Sequence, residues 1–165
     1  RRARPAEREA VLELWLKLIE HHRRLDPAYP LPSGLRLGLQ SEVDRGLSIP
    51  TCAIWLALPA AEPVGFAFAE TEAASGRSDD EASVGWIHAL WVEPSRRRRG
   101  IAAALAERAR AFLAERGGRI AVRVEAANPD ALAFWRVLGF RARAHVLELG
   151  SLATEPLPRD KVRPP

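Results

Sequence analysis

Apolar residues recur at helical spacing near the start of the chain. Val11, Leu14, Trp15, Leu18 and Ile19 predict an amphipathic helix over residues 5 to about 24. Pro5 suits its first turn, Glu7 and Glu9 suit the positive end, and Arg23 and Arg24 the negative end. Pro27, Pro30 and Pro32 turn residues 25–34 into a loop, and a second helix is expected over residues 35–46. The pattern then changes period. Residues 51–58 and 64–71 read as strands joined through a turn at 59–63, which makes a hairpin. Residues 73–83 are small and polar and read as an exposed loop, and residues 84–92 form a third strand. Ile101, Leu105, Ala109 and Phe112 mark a helix over 100–116 that Gly117-Gly118 ends. Ile120, Val122 and Val124 alternate as a strand. Asn128-Pro129-Asp130 then starts a helix as cap, first-turn proline and first-turn carboxylate. That helix stops at Gly139, and residues 140–149 read as a last strand. Hairpin strands followed by β–α–β crossovers predict an α/β (α+β) fold with a mixed central sheet flanked by helices. One domain is expected over 1–153, followed by a mobile, proline-rich tail over 154–165; a clipped N-terminal strand is also compatible with this order.

Composition narrows the classes. The chain has 165 residues, 47% hydrophobic and 28% charged, an ordinary globular balance. Its single cysteine, Cys52, leaves no intrachain disulfide, and without CxxC or CxxH clusters no metal site is expected. No apolar run reaches the length of a membrane span, and no secretory h-region is visible, so a cytoplasmic location is expected. The net charge of +4 comes almost wholly from arginine, because Lys17 and Lys161 are the only lysines. That balance suits an anionic ligand or nucleic acid without choosing between them.

The densest chemistry lies where the third strand meets the helix after it. Arg96 to Arg99 make a basic turn, and Gly100, Ile101, Ala102 and Ala103 open the helix with mostly small side chains. First-turn amides have no intrahelical partners and carry the positive end of the helix dipole. A phosphate can approach and accept those N–H groups, and the arginines add charge-assisted attraction. A solvated basic turn before an ordinary helix is the plainer reading of the same spacing.

Arg97-Arg98-Arg99-Gly100-Ile101-Ala102 resembles the acyl-CoA signature of the GNAT superfamily of N-acetyltransferases: Gln or Arg, two residues, Gly, one residue, then Gly or Ala. A second stretch, Asn128 through Ala131, Phe134 and Trp135 to Gly139-Phe140, resembles the family's second motif helix. The two matches span residues 86–140. The resemblance implies a parallel strand pair, 84–92 and 119–125, splayed to admit acetyl-CoA as co-substrate. It implies a pantetheine arm along the backbone of Leu90, Trp91 and Val92, and a pyrophosphate on amides from Arg98 to Ala103. Asn128 would reach the pantetheine. Arg97, Arg98, Arg99, Gly100, Ile101, Ala102, Ala103 and Trp135 complete the implied cofactor set. The reaction implied is direct acetyl transfer to a primary amine of a small molecule or peptide, with the Leu90 N–H polarising the thioester carbonyl. Homodimers are common in such a family.

Trp135 departs from that pattern. Many members carry a tyrosine there as the acid for the leaving thiolate, and an indole N–H supplies no proton at neutral pH. The only tyrosine, Tyr29, lies in the early loop. Two readings follow: an N-acetyltransferase whose thiolate leaves unaided, or a non-catalytic acyl-CoA-binding regulatory module. A nucleic-acid binder ranks below both, because no zinc finger or RNA-recognition signature is present. His88 is the candidate base on the cleft strand, where members often carry Glu; the alternative is a histidine that only lines the acceptor site. Glu70 is a weaker base candidate and reads as a solvated strand-end charge. Glu42 and Asp44 read as the solvated face of the second helix. His21 and His22 read as helix-end residues, and Cys52 as packing.

Overall fold

The computed structural model describes residues 1–72, 84–116 and 118–146. The expected loop at 73–83 and the tail at 154–165 lie outside the described residues. Helix α1 spans Arg8–Leu25 and α2 spans Leu35–Ser48. Strands β1 (Cys52–Ala57), β2 (Gly65–Glu72) and β3 (Val84–Val92) follow, then α3 (Ile101–Ala114), β4 (Arg119–Val122) and α4 (Pro129–Val137). The sheet order is β1-β2-β3-β4, with antiparallel pairs except for a parallel β3–β4. This is the mixed sheet the patterning predicts, with α3 as the crossover that parallel strands require.

Each sheet face has its own core, because side chains alternate along a strand. On one face α1 and α2 cover Cys52, Ile54, Leu56, Phe66, Phe68, Ala89 and Trp91. On the other, α3 and α4 cover Ala53, Trp55, Ala67, Ala69, Ile87 and Val92. Two glycines allow close approach. A Cβ on Gly85 would lie 2.9 Å from a Leu113 methyl of α3. A Cβ on Gly46 would lie 2.5 Å from Ile54 Cδ1, so α2 rests tightly on the sheet only because that position is bare.

Two expectations are corrected. No residue of 140–146 belongs to a strand, and residues 141–146 are exposed. Their apolar positions are Ala142, Ala144 and Val146, which offer little area to bury against a four-residue strand. The second parallel strand also stops at Val122 rather than running to 125. The N-terminal arm makes one bridge, Arg2 to Trp55, so the clipped strand is a single pair.

Candidate acyl-transfer site

The parallel pair parts midway. Pairing runs from Val84↔Arg119 to Ile87↔Val122 and ends there, while β3 continues to Val92. Residues 88–92 therefore extend past the last β4 partner, and a wedge opens between β3 and residues 123–125. A register shift lies at the same point. On the β2 side Phe68 faces Ala89 and Ala69 faces Ile87, so His88 is the extra residue of a β-bulge. The bulge changes which face each side chain takes. Ile87 lies in the α3 core, Ala89 in the α1 core, and His88 stacks on Phe68 at 5.4 Å between ring centroids.

At the far end of β3 a 3-10 turn, Pro94–Arg96, leads into α3. Arg98 (φ 59) and Gly100 (φ 78) both adopt left-handed backbone on either side of Arg99. Gly100 does so without the steric cost an L side chain meets, which is roughly 1–2 kcal/mol. Alternation of this kind turns successive N–H groups toward one concave face. The helical ladder opens with Ala104 N donating to Gly100 O at 3.0 Å, so the amides of Ile101, Ala102 and Ala103 precede it. A Cβ placed on Gly100 would meet nothing within 4 Å, and Ala102 and Ala103 present only methyl groups, so the cradle is open.

The arginines divide. Arg98 and Arg99 are exposed beside the cradle. Arg97 folds back instead: its Nε donates to Val92 O at 3.0 Å, and its guanidinium sits 4.6 Å from the Trp91 ring centroid. Its reach is therefore toward the end of β3 and α1. Trp91 is 3% exposed and its Nε1 has no partner among the described residues. His21, at the end of α1, packs on Trp91 at 5.3 Å, and His22 packs on Tyr29 at 5.1 Å. Burial, then the charges of Arg97, His22 and Arg24, lowers the His21 pKa; burial lowers that of His22. Burial and the charge of Glu125 raise the Tyr29 hydroxyl, which stays protonated. The loop after α1 thus borders the wedge.

Asn128 is buried, and its Oδ1 accepts from Ala131 N at 3.0 Å, which makes it the cap of α4. Trp135 is buried between Phe134 and Phe140, with T-shaped contacts at 5.0 and 5.1 Å. The structure thus gathers Leu90, Trp91, Val92 and the 97–103 turn along one strand end, with His88 at the bulge.

Glu70 is not a solvated charge. Its side chain is 14% exposed, its Oε2 lies 3.4 Å from His88 Nε2, and its Oε1 accepts from Arg45 of α2. Arg45 also donates to Glu42 Oε2 at 2.9 Å, so Glu42, still partly exposed, joins this group, while Asp44 stays on the solvated face and pairs with Arg8 at 2.6 Å. Arg45 was invisible to sequence patterning. The one signal for it is Gly46, whose missing side chain lets α2 come close enough for Arg45 to reach β2. Cys52, 2% exposed, is held protonated by burial and by Glu70, as packing requires. No group of described residues could hold a metal ion, and no described helix is long and apolar enough to cross a membrane.

Where β3 runs on past its last β4 partner, it leads into a turn of free helix amides that can accept an anionic group. The model of the acetyltransferase (GNAT) family matches residues 15–140, and the chain belongs to that family. No curated protein sequence matches it. Solved structures share the fold. The BH1408 protein of Bacillus halodurans, as a tetramutant, superposes with a TM-score of 0.78 at 18% identity, covering 91% of this chain and 97% of that one. The aminoglycoside N-acetyltransferase AAC(6')-Iy in complex with CoA gives 0.67 at 19% identity, with 92% and 93% covered. An acetyltransferase from Pyrococcus furiosus, described as putative, gives 0.64 at 24%, with 87% and 95% covered.

Proposed function

We propose that this chain transfers the acetyl group of acetyl-CoA directly to a primary amine, acting in the cytoplasm on a small molecule or peptide. The observation that carries this reading is the parting of β3 from β4 after Ile87↔Val122, in line with the amide cradle at 98–103. The residues present fit the co-substrate. The diphosphate would rest on the amides of the cradle, beside Arg98 and Arg99. The pantetheine would run along the backbone of Leu90, Trp91 and Val92 toward Asn128. Acetyl-CoA supplies an acetyl group activated as a thioester. The protein's part is to polarise that carbonyl through the Leu90 N–H at the wedge. His88, at the bulge, takes the proton from the incoming amine, directly or through water. Trp135 walls the far side without donating a proton. A thiolate leaves far more readily than an amine anion, so the chemistry does not require an acid there. AAC(6')-Iy is described in complex with an analog joining CoA to a neamine, and a related acetyltransferase in complex with sisomicin. Those descriptions support a small amine as acceptor class here.

The packing of Trp135 between two phenylalanines favours one second reading, a regulatory acyl-CoA-binding module of the same fold. Calorimetry with acetyl-CoA and release of free thiol across an amine panel separate the readings. Saturable binding with turnover supports transfer, and saturable binding without turnover supports the module. A folded protein that binds no acetyl-CoA ends both.

A further inference from the structure

Glu70 is the only carboxylate within ion-pair distance of His88 among the described residues, and it is shared. A carboxylate beside an imidazole stabilises the imidazolium. An undivided, largely desolvated Glu70 would therefore hold a proton on His88 and remove the lone pair a base needs. Arg45 opposes this. Its guanidinium is anchored to Glu42 through two contacts of 3.1 and 2.9 Å, and a second nitrogen engages Glu70 Oε1. Its charge offsets that of Glu70, and its single contact to Oε1 leaves Oε2 facing His88 Nε2 at 3.4 Å. Among the described residues, the charged groups that face the ring from other elements are Glu70 of β2 and, behind it, Arg45 and Glu42 of α2. Cys52 of β1 sits beside Glu70 as a neutral thiol.

We propose that Arg45 is a positioning residue for the transfer: it holds Glu70 so that the carboxylate orients the His88 ring while only part of its charge acts on that ring. The inference rests on the reading of His88 as the base. It also explains why α2 needs Gly46, since a side chain there would push Arg45 away from the sheet.

The test follows the ring titration of His88 by NMR on the protein without substrates, alongside kcat and KM. Arg45→Gln is expected to raise the His88 titration midpoint by roughly half to one pH unit. It should lower kcat about twofold to threefold at neutral pH and more at acidic pH, with acetyl-CoA affinity unchanged. Glu70→Gln should lower the midpoint, and Arg45→Gln added to it should then move the midpoint much less. Arg45→Lys, which keeps the charge, should hold the midpoint close to the parent. If Arg45→Gln does not fold, Glu42→Gln serves: Arg45 then belongs to Glu70 alone, and the midpoint should fall. A midpoint unmoved by Arg45→Gln, or moved equally with and without Glu70, overturns the proposal. The base reading has a separate readout. Transfer unaffected by His88→Ala removes the base and leaves the linkage measurable.

Discussion

The turn where β3 meets α3, the proposed donor corner, and the charge cluster at the His88 bulge, midway along β3, are built in opposite ways. The donor corner uses consecutive residues, 90–103, and its working groups are mostly backbone amides. The cluster uses side chains from three elements, with Arg45 and Glu70 lying 25 positions apart in the chain. A backbone site tolerates most side-chain changes and fails where a φ angle demands glycine. A side-chain site fails wherever one partner is removed, because the others are left with unbalanced charge.

That contrast is sharpened most by His88→Ala. Transfer at neutral pH is expected to fall roughly 10²–10⁴-fold, the usual contribution of a positioned base, with little change in acetyl-CoA affinity. A parental pH–rate profile in this variant would assign the proton to another group. Gly100→Glu should do the reverse. It places an L side chain at φ 78 and a negative charge over the cradle, so acetyl-CoA affinity should fall about 100-fold, near 2.7 kcal/mol. Gly100→Ala separates the two causes. Its methyl meets nothing within 4 Å, so only the left-handed backbone cost of about 1–2 kcal/mol remains. Calorimetry on both folded variants reads the difference; equal, undiminished affinity would move the phosphate site elsewhere.

The same contrast explains what the sequence disclosed. Strand β3 has the bounds 84–92 that its apolar pattern predicts, and Asn128 caps α4 as its position before Pro129 implies. Both are local properties. The bulge at His88 is not local: it arises because β2 and β3 disagree by one residue, and neither strand's own pattern records that. Glu70 reads as a solvated strand end because nothing near it in sequence is basic; its cation comes from another element. The strand expected at 140–149 errs for a related reason. Alternation describes a face, but a strand also needs a neighbour, and residues 140–146 pair with none.

Asn128 tests whether one residue serves both structure and ligand. Asn128→Ala removes the cap bond to Ala131 N and should cost about 1 kcal/mol in urea unfolding. Asn128→Asp keeps a capping oxygen and should restore most of that stability. If Asn128→Asp is stable and still binds acetyl-CoA more weakly than the parent, the amide nitrogen has a second role at the pantetheine. If affinity also returns, Asn128 acts on the donor corner only by starting α4.

The smallest effect expected is one of pH on stability, and it comes from two histidines of α1 that pack beside the end of β3. His21 and His22 have pKa values lowered chiefly by burial. In the unfolded chain both take up protons near pH 6.5, while the folded chain resists until lower pH. Between those limits the unfolded state binds more protons, so stability rises with pH there. It should be full above neutrality and decline as pH falls through about 6.5 toward the lowered folded values. Buried His22 Nδ1 has no partner among the described residues, so a proton placed there would be poorly accommodated. Urea midpoints measured from pH 7.5 to 5 should therefore fall with acidity, and His22→Gln should flatten part of the slope. The cradle amides carry no titratable proton in that window. A slope that survives replacement of both histidines would have to come from a different group, and burial of this pair would not be its cause.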